Sequence, residues 1–311
     1  MSFERSNWFK LALNFRASVI REIKIQVVLT MLVALIVTIF YKYGYSGFSQ
    51  PILTGLIPGI VLGLILVFRT NTAYERFWEG WQIAGMTIFT GRNLSRQMWL
   101  TIPNKTLEDR QEKIVHLRLV ATFFIAMKQH LRGAGIDDRL KLLLSSKQYL
   151  ELEDTTNMPL KVTQWIGNYL TKQYNHQHID SIQFSALNRL LDQFVECLSR
   201  CERILSAPMP YAYSIHLRQM LILYCFALPF QMVKDLQWWT IPVTGIVAFA
   251  LFGIEAIGLE IENPFGYDAN DIPLDKLCQK LHNDIEELIG SEINQDTYNY
   301  AIAPSRQSTV N

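Results

Sequence analysis

The sequence predicts an all-α membrane protein with four transmembrane helices and a helical cytosolic domain. Three observations predict it. Half of the 311 residues are apolar and 18% are charged, which fits a few spans attached to a large polar body. Apolar runs of spanning length lie at residues 25–43, 52–68, 211–233 and 240–259. Between the two pairs, residues 70–210 are too polar to span, and their apolar side chains recur at three and four, the helical period.

Residues 5–24 carry Arg5, Lys10, Arg16, Arg21 and Lys24, with Trp8, Phe9, Leu11, Leu13 and Phe15 between them. That pattern suits a segment lying along a membrane surface, or a soluble docking helix. It lacks the order of a signal or transit peptide. The first span is polar only at Gln26, Thr30 and Thr38 before Lys42, and Tyr41, Tyr43 and Tyr45 stand near its end as interfacial aromatics do. Residues 44–50 read as a turn. The second run would extend roughly 25 Å as a helix. Gly55, Gly59 and Gly63 form a small-residue ladder along it that permits close approach of another helix. One position on, Leu56, Ile60, Leu64 and Phe68 make a bulky apolar stripe. Two readings follow: an ordinary span ending in an aromatic anchor, or a pore-lining helix with a constriction that gates by dewetting. Beyond Phe68, Arg69, Glu75, Arg76 and Glu79 mark the interface and the cytosol.

In residues 70–210, Ile114, Leu117, Val120, Ala121, Phe124 and Met127 share a helical face, as do Leu187, Leu190, Leu191, Phe194, Leu198 and Leu205. His116 and Arg118 interrupt the apolar run 115–127, which therefore reads as a buried cytosolic helix. Residues 103–110 and 151–159 read as loops. Pro208 and Pro210 break the chain before the third span, which is polar at His216 and Arg218 and broken by Pro229. Trp238 and Trp239 mark a turn, and the fourth span carries Glu255 near its end. The expected division is 1–69, an interfacial segment and two spans; 70–210, a cytosolic helical region; 211–260, two spans; 261–294, a cytosolic acidic loop and helix; and 295–311, a mobile tail. Lys and Arg are dense before the first span and between the second and third, so both termini and the polar body are expected in the cytosol.

Composition excludes several chemistries. A formal net charge of +1 gives no reason to expect nucleic acid. Cys197, Cys201, Cys225 and Cys278 form no CxxC, so neither a disulfide framework nor a zinc site is expected. There is no P-loop, GxGxxG or nucleophile elbow. His176, His178 and Asp180 imitate a metal set, but their polar setting favours solvated loop histidines. Arg69, Arg76 and Glu255 read as a tie between the second and fourth helices, with ion contact as the alternative. A membrane-anchored enzyme and a transporter are the rival classes, and the inverted symmetry common in transporters is missing.

The motifs FRTNTAYERFWEGW after the second span, PMPYAY before the third and IEAIGLEIENPFG at the end of the fourth resemble the bestrophin family. The opening NWFKLALNFRASVIREI looks like its bacterial and plant branch, and the likeness covers roughly residues 5–290. The resemblance implies a homopentameric, all-helical ion channel with one central pore. It places the hydrophobic neck on Ile60, Leu64 and Phe68, and a cytosolic constriction on Met209. It also places three positions of a calcium clasp on Asn263, Asp268 and Asp271. Two acids of the clasp are missing here, and Ca²⁺ takes six to eight oxygens, so weak calcium binding at most is expected and no other cofactor. The expected partners are inorganic anions, the bilayer and further copies of the chain, in a bacterial inner membrane or a thylakoid membrane. An uncharged neck selects through dehydration and helix dipoles, with Arg69 and Arg76 adding positive potential against Glu75 and Glu79. A channel for monovalent anions (chloride, bicarbonate or nitrate) is expected, with a monovalent cation channel as the alternative.

Overall fold

The computed structural model describes residues 20–45, 47 and 56–302. Among them every regular element is a helix, in the order α1 (Ile20–Lys42), α2 (Leu56–Thr101), α3 (Leu107–Leu131), α4 (Asp138–Leu143), α5 (Ser146–Glu153), α6 (Met158–Asn175), α7 (Ser181–Ser206), α8 (Tyr211–Leu236), a 3₁₀ turn (Gln237–Trp239), α9 (Thr240–Glu262) and α10 (Leu274–Ile302). Two compact units are drawn from Met1–Glu79 with Ala207–Asp271, and from Gly80–Ser206 with Ile272–Asn311. The basic segment before residue 20, the turn at 48–50, Gly55 and the end of the tail lie outside the described residues. The expected tail is helical as far as Ile302.

In the first unit, Glu22 lies in the first turn of α1 and Lys42 in the last, each matched to its end of the helix dipole. The α1 hydroxyls turn inward: Thr30 Oγ1 donates to the Gln26 carbonyl at 2.8 Å and Thr38 Oγ1 to that of Ala34 at 2.7 Å. No polar group of these two side chains is then left to lipid. Three helical stretches are long and apolar enough to cross a membrane: Ile20–Lys42, Ile57–Thr101 and Tyr211–Glu262. The last holds both α8 and α9. Gln237, at a φ of 49°, ends α8 by donating its N–H to the Val233 carbonyl, and its side chain accepts from Lys42 Nζ at 2.7 Å. Pro229 does not break the third span as expected. It is buried inside an unbroken α8, where one lost backbone bond is tolerated among packed neighbours. Ile23, Leu62, Leu66, Leu217, Leu221, Cys225, Ala248, Phe252 and Ala256 form the core of this unit.

The change to polar residues at Arg69 does not end the second helix. α2 runs on for 46 residues, because Glu, Arg, Gln and Met favour helix and its one proline, Pro58, sits in the first turn. In the second unit the expected loops are shorter than read. Thr106 and Asp109 close a capping box that starts α3, and the Asn157 side chain accepts from Leu160 N–H to start α6. Both apolar faces read from the sequence are core: Leu117, Val120, Phe124 and Met127 on α3, with Leu187, Leu191, Phe194 and Leu198 on α7. Phe123 stacks on Phe194 at 4.3 Å between ring centres. The four cysteines are free and buried, and burial pushes the Cys278 thiol up to about 12.

Candidate functional site

The first fourteen residues of α2 have two faces. Leu62, Leu66 and Arg69 are buried, while Ile60, Leu64 and Phe68 are 59%, 54% and 59% exposed in the single chain. A row of three bulky apolar side chains so open needs another surface or a dewetted space beside it. Two tyrosines of α8 fix the helix that carries the row. Tyr213 Oη donates to the Ile65 carbonyl at 3.0 Å. Tyr224 Oη lies against Gly59, where a Cβ would come within 2.8 Å of it. The glycine ladder is thus not one surface within the chain. Gly59 receives a tyrosine, and a Cβ at Gly63 would meet nothing within 4 Å.

Arg69 follows Phe68 on the buried face and is 0% exposed. Its guanidinium meets Glu262 Oε2 at 3.3 Å and donates to Ser214 Oγ at 3.1 Å. The sequence reading of a tie to the fourth helix holds for Arg69, but its partner is Glu262. Glu255 instead accepts from Arg218 Nε at 3.1 Å. Arg69 therefore adds no free positive charge behind the stripe, contrary to expectation, because a buried guanidinium needs a counter-charge. Arg76 donates from Nε to the Glu262 carbonyl at 3.2 Å and from Nη1 to the Ala207 carbonyl.

Met209 is half-buried between Pro208 and Pro210, and its N–H donates to Glu262 Oε1 at 3.1 Å. Pro210 caps α8 in an extended conformation, with φ −53° and ψ 128°. In the acidic loop, Asn263 Oδ1 accepts from the Phe265 N–H at 3.3 Å, and Asp271 Oδ2 from the Asp268 N–H at 2.7 Å. Asn270 Nδ2 donates to Glu260 Oε1 at 2.9 Å. Gly266 leaves room for this turn, since a Cβ there would meet Asp271 Oδ2 at 2.7 Å. Asn263 and Asp271 spend side-chain oxygens on the loop's own backbone. Asn263 Oδ1 and Asp271 Oδ2 each already accept an N–H, which leaves fewer side-chain oxygens for a cation that takes six to eight. Near the other candidate set, Asp180 caps α7, accepting from Ile182 and Gln183 N–H at 2.8 Å each, and His178 Nδ1 lies 2.7 Å from Gln173 Oε1.

Sequence reasoning missed Glu262, Ser214, Tyr213 and Tyr224. The signal available for Glu262 was its position, an acid at the C-terminal end of an apolar helix, where the dipole disfavours it.

Long apolar helices and an uncovered apolar stripe define an integral membrane protein of the helical channel class. The family profile described as "Bacterial/Fungal Bestrophin protein" matches residues 1–287. A protein of Nostoc sp. named "Voltage-dependent anion channel-forming protein" is 50% identical over 288 residues, covering 93% of this chain and 94% of the relative. A Synechocystis sp. protein of the same description is 48% identical over 282 residues, covering 91% and 92%. The crystal structure of a bacterial bestrophin homolog from Klebsiella pneumoniae superposes with a TM-score of 0.79 at 26% identity, over 86% of this chain and 98% of that one. The chain belongs to the bestrophin family, in its bacterial and fungal branch. It is a channel and not an enzyme.

Proposed function

We propose that this chain passes monovalent anions, chloride foremost and bicarbonate or nitrate with it, as a homopentamer around one central pore. The observation that carries the proposal is the open apolar row Ile60, Leu64 and Phe68 in a chain half identical to a protein named as forming an anion channel. Five copies of the row make a hydrophobic neck, and Met209 makes a second constriction on the cytosolic side. With Arg69 neutralised by Glu262, no side-chain charge stands at the neck. Selection there falls to dehydration cost and to the positive N-terminal end of α2. Anions that shed water easily then permeate better than chloride. In this reading α1, the first part of α2, α8 and α9 make four crossings, so both termini lie on one side, and the Lys and Arg density before the first span and between the second and third favours the cytosol. Calcium has little part, given the loop's donor set.

Planar-bilayer recordings of the purified protein under a potassium chloride gradient test this. Reversal near the chloride equilibrium potential is expected, and reversal near that of potassium overturns the choice of ion. Light scattering in detergent is expected to give about five subunits. A conducting monomer would refute the central pore.

A further inference from the structure

Several of the contacts described above converge on one carboxylate. Glu262 is the last residue of α9, where the negative end of the helix dipole opposes an acid. Breaking a local rule without a compensating partner is rare outside functional or strained sites, and here there are two partners. Oε2 faces Arg69 Nη2 at 3.3 Å, and Oε1 accepts the Met209 N–H at 3.1 Å. The Glu262 side chain is 17% exposed and that of Arg69 is 0% exposed, so water is a poor substitute for either bond.

Each partner belongs to one of the two proposed constrictions. Arg69 follows Phe68 directly in α2, so a displacement of the lower neck carries the guanidinium with it. Met209 supplies the only N–H of the Pro208–Met209–Pro210 run, because proline has none. That single donor is held by Glu262. Arg76, also on α2, grips the Glu262 and Ala207 carbonyls on either side of the junction.

We infer that Glu262 is a positioning residue that couples the neck to the Met209 constriction. The inference rests on the proposed neck and constriction. When α2 shifts at Phe68, the buried Arg69 takes its counter-charge with it, because separating the two in a dry setting is costly. The same carboxylate then drags or releases the Met209 N–H. A glutamine at 262 has nearly the same shape, but its NH₂ replaces one of the two acceptor oxygens and would face a donor, so it cannot hold both partners as the carboxylate does.

The test is a double-mutant cycle read as open probability in planar bilayers. Leu64→Ala and Met209→Ala are made singly and together, in the native chain and in Glu262→Gln. In the native chain the joint effect is expected to depart from the product of the single effects by about fivefold or more. In Glu262→Gln the departure falls to within about twofold, with the oligomer unchanged by light scattering. A purely structural role lowers the yield of assembled channels without abolishing the coupling. Coupling that survives Glu262→Gln overturns the inference, as does a native chain with no coupling. If neither single variant alters open probability or relative permeability, the neck and constriction themselves have failed, a different result from lost coupling. Should Glu262→Gln not assemble, Glu262→Asp carries the same cycle, because it keeps the charge but is one methylene too short to hold both partners. Failure of both to assemble makes Glu262 a fold residue and overturns the inference.

Discussion

The two units handle charge in opposite ways. In the unit drawn from Gly80–Ser206 and Ile272–Asn311, charges gather into a shared network. Lys128, with a side chain 3% exposed, lies 2.7 Å from Asp137 and 3.0 Å from Asp275, and Arg139 reaches both acids at 2.7 and 2.9 Å. Large apolar side chains are exposed in this unit too, at Met86, Phe89 and Leu100 on α2 and singly at Leu107, Leu142 and Ile182. In the unit drawn from Met1–Glu79 and Ala207–Asp271, Arg69 pairs with Glu262 alone and Arg218 with Glu255 alone among the ion pairs of the described residues. Apolar side chains there stand exposed in rows, as Ile25, Val28, Leu29, Leu32 and Ile36 do along α1. Water penalises continuous apolar surface, whereas lipid accepts it, so the row along α1 fits the apolar length that could cross a membrane.

The largest effect should come from the network. Lys128→Met removes a buried ammonium and its bonds to Asp137 and Asp275 while leaving both acids on Arg139, which costs about 2 kcal/mol. A fall of roughly 5 °C in the unfolding midpoint is expected by fluorescence. Lys141→Met, at the exposed pair with Asp138, should change nothing measurable. Equal midpoints for the two variants would break the comparison.

A second effect is pH-dependent. The Arg139 guanidinium, with Lys128, holds Asp137 well below the usual carboxylate range. Burial pushes Asp275 up, but Arg132, Lys128 and Arg139 together hold it low. A depressed folded value means stability present above the unfolded value of 3.8 and lost as pH falls through the folded one. The network's contribution should therefore stay constant from about pH 7 to 5 and decline only below about pH 4. Asp137→Asn should remove much of that acid-side decline.

The apolar rows are sharpened by three channel measurements. Alanine at Ile60, Leu64 and Phe68 together wets the neck and should raise open probability on the order of tenfold, judged from the apolar surface removed. Unchanged gating would assign the row to a neighbouring helix or to lipid. Met209→Ala should change relative anion permeability by about twofold, and Met209→Glu should depress anion current through repulsion. No change in either would place Met209 in the core. The smallest expected effect is that of calcium: currents in chelator and in micromolar calcium should agree, and a steep rise would restore the clasp.

Much of the fold was legible from periodicity. Most residues that the spacing marks on α3 and α7 are core, with Ile114, Leu190 and Leu205 only partly buried, and the Pro208–Pro210 break precedes α8. Element ends were less legible. α2 passes Arg69 because polarity limits what lipid accepts and not what a helix accepts, and Pro229 stays inside α8, where it is buried among packed neighbours. For the candidate site, the stripe on α2 is visible as local spacing, whereas Met209 was singled out only by the resemblance to the family.

By itself the sequence determined the helical class, the apolar spans, the stripe and the motifs that mark the family. These follow from residue type and short-range period, which a chain carries whatever its tertiary contacts. Only the tertiary structure decided that Arg69 is silenced by Glu262, that Glu255 belongs to Arg218, and that Lys128 joins Asp137 to Asp275. Those pairings span 193, 37 and up to 147 positions of sequence separation. A charge states that it needs a partner, but which of the distant acids meets it depends on how the helices pack.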